Sequence, residues 1–146
     1  MTYQIQDNQL QAGDFIRLFA SVGWGEPPLD MTETALKNSY ATFSVISGGR
    51  VIAMARLLGD GAMAFFLKDF AVLPEYQGLG IGRALMEYVE EHIRSRLQPG
   101  WSGYLQLVSA KGKEGFYGKC GYQAHPNDHS GPAMSKWVTR EEERDG

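Results

Sequence analysis

The chain has 146 residues, 43% hydrophobic and 21% charged, with a net charge of -3. That length suits one compact domain with a real core, so residues 1–146 are expected to form a single domain. The negative balance argues against broad electrostatic binding to nucleic acid or to an anionic membrane, since both need a basic face.

In chain order, Tyr3 to Ile5 alternates weakly and reads as a first strand. From Gln11 to Val22, Phe15, Ile16, Leu18 and Phe19 form a helical stripe. Gly23 to Pro28 is a loop, because glycine and proline break regular structure, and a second short helix follows over Thr32 to Asn38. The period then shortens. Ala41 to Ile46 is β-branched and aromatic, Ser47-Gly48-Gly49 is a turn, and Arg50 to Leu58 continues as a strand. Gly59-Asp60-Gly61 turns again into a third strand, Met63 to Leu73, completing an antiparallel meander.

Pro74 and three glycines interrupt the sheet before a helix over Gly80 to Leu97, with Ile81, Leu85, Tyr88, Val89, Ile93 and Leu97 on one face. Pro99-Gly100 stops it, and Tyr104 to Val108 is a strand parallel to the third. A short helix over Lys111 to Lys119 precedes a closing strand pair, Gly121 to Ala124 and Ala133 to Val138. The expected fold class is therefore α+β: a mixed, mostly antiparallel sheet of about seven strands with about four helices.

The chemistry concentrates in Val72-Leu73-Pro74-Glu75-Tyr76-Gln77-Gly78-Leu79-Gly80-Ile81-Gly82-Arg83. A strand ends, proline turns the chain, and alternating glycines lead into a helix start. The first N–H groups of a helix have no partner within it and sit at the positive end of its dipole. Glycines let the backbone close around a phosphate. A dinucleotide fingerprint would need an alternating βαβ series, and the spacing does not match a P-loop.

Together these residues resemble the acyl-CoA signature of the GNAT acetyltransferase superfamily, Q/R-x-x-G-x-G/A preceded by V-x-P. Gly115-Phe116-Tyr117-Gly118-Lys119-Cys120-Gly121-Tyr122 is similar to that family's F-Y-x-x-x-G-F/Y segment, about thirty-five residues on. Met54-Ala55-Arg56, Asp69, Pro74 to Gly78, Phe116-Tyr117 and Ala124-His125-Pro126 resemble the branch of plant and cyanobacterial serotonin-type N-acetyltransferases and small bacterial relatives.

The resemblance implies acetyl-CoA as acyl donor. Phe70, Ala71 and Val72 would pair with its pantetheine arm, in a splay opened by a strand bulge. Gln77, Gly78, Leu79, Gly80, Ile81, Gly82 and Arg83 would hold its pyrophosphate, and Tyr117 would lie near the sulfur. One position departs from the pattern: Ala110 stands where many members carry an asparagine, and Lys111 or Lys113 is the candidate replacement.

Acetyl transfer needs a neutral amine, a stabilised thioester oxygen and a protonated thiolate. An amine of pKa about 10.4 is almost wholly charged near neutrality, so a carboxylate or a water chain must remove its proton. Asp69 is the carboxylate candidate, because a charge inside a strand needs a partner or a task; pairing with Arg56 is the alternative. Backbone N–H around Val72 is the candidate donor to the oxygen. Tyr117 is the candidate acid, against a core tyrosine.

Trp24 is a candidate to stack on the acceptor amine or to pin its loop, and His125 to touch the acceptor or line a rim with Asp128 and His129. His92 reads as a structural histidine, and Asp60 as a turn residue. No metal site is expected, since the His125–His129 spacing fits no ligand pattern.

The single cysteine, Cys120, permits no internal disulfide and suits a reducing compartment. With no signal-peptide pattern in MTYQIQDNQL and no apolar run of spanning length, a cytoplasmic protein without membrane or nucleic-acid partners is expected. The expected activity is direct transfer of acetyl to a primary amine, foremost of a small molecule. A non-catalytic acyl-CoA sensor and a protein-lysine acetyltransferase are the alternatives, and a homodimer through the closing hairpin is compatible with the pattern.

Overall fold

The computed structural model describes residues 1–143. Two compact units follow one another in the chain, Met1–Leu107 and Val108–Gly146. The first holds the sheet: β1 (Gln4–Asp7), α1 (Ala12–Ser21), α2 (Leu29–Lys37), β2 (Ala41–Ser47), β3 (Arg50–Gly59), β4 (Ala64–Val72), a 3₁₀ turn (Pro74–Tyr76), α3 (Ile81–Arg96) and β5 (Tyr104–Gln106). The second holds α4 (Glu114–Lys119).

The strand order is β1-β2-β3-β4-β5. The first four strands pair antiparallel, as the meander pattern requires. β4 and β5 pair parallel, as the strand-helix-strand reading of Leu73 to Val108 requires. β2 is buried at every position from Ala41 to Val45, so both of its faces are covered. α3 covers the Phe43 side, where the ring meets Tyr88 and His92 edge-on. Its buried stripe is Ile81, Leu85, Met86, Val89, His92 and Ile93. α1 packs on β3 and β4 through Phe15 and Leu18.

Tight packing fixes two glycines. A Cβ on Gly59 would stand 2.8 Å from the Phe65 ring, and one on Gly103 2.6 Å from it. The Phe65 side chain is thus seated between two residues that must have none.

The strand count differs from the expected seven: five are present among the described residues. Gly121 to Ala124 and Ala133 to Val138 form no ladder. Gly121 takes φ +95 and Tyr122 N–H returns to Tyr117 carbonyl oxygen, so this stretch closes α4 rather than starting a strand. Asn127 then accepts from the N–H groups of His129 and Ser130 in a side-chain-held turn. Alternation at Met134, Trp137 and Val138 remains without a partner strand, and all three are exposed. Among the described residues, no helix is long and apolar enough to cross a membrane.

Candidate active site

The β3–β4 ladder carries a defect at the point where the sequence places a charge. Met54 pairs with Ala71 and Arg56 with Lys68, so Ala55 alone faces both Asp69 and Phe70. This is a β-bulge, with one extra residue on β4. Asp69 adopts φ +55, a left-handed conformation that aspartate tolerates better than most residues. Its Oδ2 accepts from Arg56 Nε at 2.8 Å, and the two side chains are only 9% and 15% exposed. Asp69 is thus the Arg56-paired carboxylate of the alternative sequence reading.

The bulge lies upstream of Val72. Val72 itself is back in register opposite Ala53, and Ala71 is buried. The backbone displaced from the ladder is therefore that of Asp69 and Phe70, not that around Val72. On its other side β4 runs on past its parallel neighbour, because the ladder with β5 covers Ala64 to Phe66 alone.

The glycine loop begins where β4 ends. Gln77 N–H donates to Pro74 carbonyl oxygen, and its side-chain Nε2 reaches back to Val72 carbonyl oxygen at 3.0 Å. Gly78 and Gly80 take φ +78 and +83, so each needs glycine. Among the described residues, a Cβ on either would meet nothing within 4 Å, which leaves open space before the loop. Gly80 caps α3 with no side-chain hydrogen bond, and the first turn of α3 holds no acidic residue. By contrast, α1, α2 and α4 begin with Asp14, Asp30 and Glu114 in their first turns.

The first N–H of α3 to find a backbone acceptor is that of Ala84, on Gly80. Among the described residues, no hydrogen bond of good geometry uses the N–H groups of Gly78, Leu79, Gly80, Ile81, Gly82 or Arg83. Six successive donors at the positive end of a helix fit a pyrophosphate in number and charge. The Arg83 side chain is exposed and 3.4 Å from Glu87.

Trp24 sits after α1, edge-on to Phe19 with ring centroids 5.2 Å apart, and is 37% exposed. It pins its loop to the α1 aromatic face. His92 is buried, with Nδ1 3.4 Å from Asp7 Oδ2, while Tyr88 donates to Asp7 Oδ1. Burial pushes the His92 pKa down and Arg96 adds to the effect, with Asp7 opposing. The structural reading of His92 accounts for these contacts. Asp7, which sequence reasoning passed over, is their hub. Asp60 is the turn residue expected, accepting from the N–H groups of Ala62, Met63 and Ala64, bonds that hold its carboxyl below the usual range.

In the second unit, Tyr117 lies on α4, half-buried, with Phe116 and Tyr122 edge-on to its ring. Burial, and then Cys120, push its hydroxyl up to about 12. Such a phenol keeps its proton throughout the physiological range. Lys111, Lys113 and His125 are exposed.

Residues 38–124 match the acetyltransferase (GNAT) domain family. A soybean (Glycine max) protein named histone acetyltransferase TAP1 is 35% identical over 81% of this chain and 54% of its own length. A rice (Oryza sativa subsp. japonica) protein named serotonin N-acetyltransferase 2, chloroplastic, is 32% identical over 86% of this chain and 62% of its own. The chain spans about half the length of several curated relatives it matches. Among solved structures, a Staphylococcus aureus protein of unknown function superposes with a TM-score of 0.81 at 26% identity, covering 93% of this chain and 100% of that one. A GNAT-family acetyltransferase from Streptococcus pneumoniae does so at 0.77 and 28%, covering 96% and 100%. With the glycine loop, the β4 bulge and this match over more than half its residues, the chain belongs to the GNAT acetyltransferase family.

Proposed function

We propose that the protein is an N-acetyltransferase that moves acetyl from acetyl-CoA directly to the primary amine of a small molecule. The observation that carries the reading is the row of uncommitted N–H groups from Gly78 to Arg83. Those groups would hold the pyrophosphate, while Phe70, Ala71 and Val72 would meet the pantetheine arm along β4.

Acetyl-CoA supplies an activated acyl carbon, whose C–S bond breaks as the amine N–C bond forms. Arg56 and the near-enclosure of its carboxylate commit Asp69 to the bulge. We therefore assign the amine proton to water rather than to Asp69. Tyr117 serves the sulfur, as the family resemblance implies. With its hydroxyl at about 12, full transfer to a thiolate of ordinary pKa near 8.5 runs uphill. Its role is then to donate a hydrogen bond to the departing sulfur, and solvent completes the protonation. Trp24, with part of its ring exposed, and His125 are the proposed acceptor-contacting residues.

Relatives named for histone and for serotonin acetylation leave both acceptor classes in view. The test is release of free CoA thiol from acetyl-CoA over a panel of arylalkylamines, polyamines, amino acids and a lysine peptide. The proposal expects release that depends on a small amine. Release with the peptide alone would replace it with a protein-lysine enzyme. Binding of acetyl-CoA with no release over the panel would replace it with a sensor.

A further inference from the structure

Asp69 is in a conformation that an L residue resists, at the one irregular point of the β3–β4 ladder. Something must hold it there. The local sequence does not: Lys68, Asp69 and Phe70 contain no glycine to relax the turn. The partner is across the ladder. Arg56 faces Lys68 in register, one step before the bulge, and its guanidinium reaches over to Asp69. The ion pair therefore spans the defect, and its low exposure keeps water from loosening it.

The bulge has a consequence for everything downstream. Adding one residue to a strand exchanges the faces of all that follow. With the bulge in place, Ala71 is buried opposite Met54, and Val72 opposite Ala53 leads into the carbonyl that Gln77 grips. Ironing the bulge out would turn Ala71 and Val72 over and shift the start of the glycine loop.

We propose that Arg56 is a positioning residue: through Asp69 it holds the β4 bulge, and so sets the backbone of Phe70 to Val72 and the glycine loop for the acyl donor. This rests on the acetyl-transfer reading, with Asp69 as a backbone anchor rather than a proton acceptor. Arg56 needs no contact with either substrate.

The test compares Arg56→Met, Arg56→Lys, Asp69→Ala, Asp69→Gly and the double variant Arg56→Met/Asp69→Gly. Arg56→Met strands a buried carboxylate and frees the bulge. Its kcat/KM for acetyl-CoA should fall about a hundredfold, the scale of an ångström-sized misplacement, with KM for the amine within about twofold. Arg56→Lys keeps the charge and should recover about tenfold of that loss. Glycine accepts the left-handed φ without help, so Asp69→Gly should exceed Asp69→Ala about fivefold. The double variant should exceed Arg56→Met by a similar factor, although it has lost both partners.

A double variant no better than Arg56→Met, with Asp69→Gly as inactive as Asp69→Ala, would overturn the proposal and make the carboxylate itself chemical. Wild-type turnover in Arg56→Met would overturn it too. Amide hydrogen exchange at Ala71 and Val72 provides the readout that needs no activity. Exchange should quicken in Arg56→Met and Asp69→Ala, and return toward wild type in the double variant; unchanged exchange in all of them would reject the bulge role. If no amine supports turnover in the wild type, the acetyl-transfer reading fails while the exchange ranking still decides what Arg56 does.

Discussion

The Gln77 side-chain amide donates to the Val72 carbonyl at 3.0 Å, fastening the start of the glycine loop to the end of β4. The glutamine of the family signature thus acts on the protein's own backbone. Gln77→Ala should raise the Kd for acetyl-CoA about three- to tenfold, the range of one net hydrogen bond, with a small change in melting temperature. Calorimetric titration of both proteins with acetyl-CoA checks this. An unchanged Kd would detach the contact from donor binding.

Gly80 makes a second, separable prediction. Its φ of +83 costs an alanine about 1–2 kcal/mol, while the open space around it spares any clash with the described residues. Gly80→Ala should therefore destabilise by that amount in urea melts. It should also weaken acetyl-CoA binding beyond the loss seen with Gln77→Ala, because the methyl enters the space before the donors. A stability loss without a binding loss would place the phosphate elsewhere.

Much of this was legible in the sequence, for physical reasons that differ by element. Helix α3 and the meander have strong periods and clear turn residues, so their existence and order could be read. The glycine loop could be read because few other backbones need glycine at alternate positions. The closing hairpin was expected and does not form, because alternation at Met134 to Val138 specifies a strand only where a partner edge is supplied. The resemblance implied a bulge near Val72, but its actual place showed in the sequence only as an odd charge at Asp69. The αL tolerance of aspartate within an apolar strand was the signal that could have located it. Asp7 carried no local signal at all, since its partners Tyr88 and His92 lie on α3.

The buried His92 predicts acid sensitivity. Burial lowers its folded pKa below that of the unfolded chain, so the unfolded chain binds more protons as pH falls through about 6.5. Stability should therefore be full above that pH and decline below it, by at most about 1.4 kcal/mol per pH unit from this one group. Urea melts from pH 7.5 to 5 should show a shallower decline in His92→Gln. Parallel slopes in the two proteins would assign the acid sensitivity to other groups.

Phe65 between Gly59 and Gly103 predicts a steric fault far from the donor loop. Gly103→Ala places a methyl 2.6 Å from the ring and should cost about 1–3 kcal/mol. The double variant Gly103→Ala/Phe65→Leu, which trades the ring for a smaller side chain, should cost less than the sum of its two parts. Additive losses would show that the ring and the methyl do not meet.

The hydroxyl of Tyr117 at about 12 predicts how turnover responds to pH. Activity should rise with pH as the amine loses its proton, with no alkaline fall from tyrosine ionisation below about pH 10. Tyr117→Phe should lower kcat about ten- to hundredfold, the worth of a hydrogen bond to a charged sulfur, and leave the shape of the profile unchanged. A new profile shape would make Tyr117 a proton carrier rather than a donor.

The backbone from Gly78 to Arg83 is proposed to grip the donor's pyrophosphate. The most direct measurement is an amide NMR titration of the ¹⁵N-labelled protein with acetyl-CoA, alongside one with the pantetheine arm lacking phosphates. Acetyl-CoA should move the Gly78, Leu79, Gly80, Ile81, Gly82 and Arg83 amides together, with large downfield shifts, and the phosphate-free arm should leave them in place. Binding of acetyl-CoA that leaves those six amides unmoved would place the pyrophosphate elsewhere.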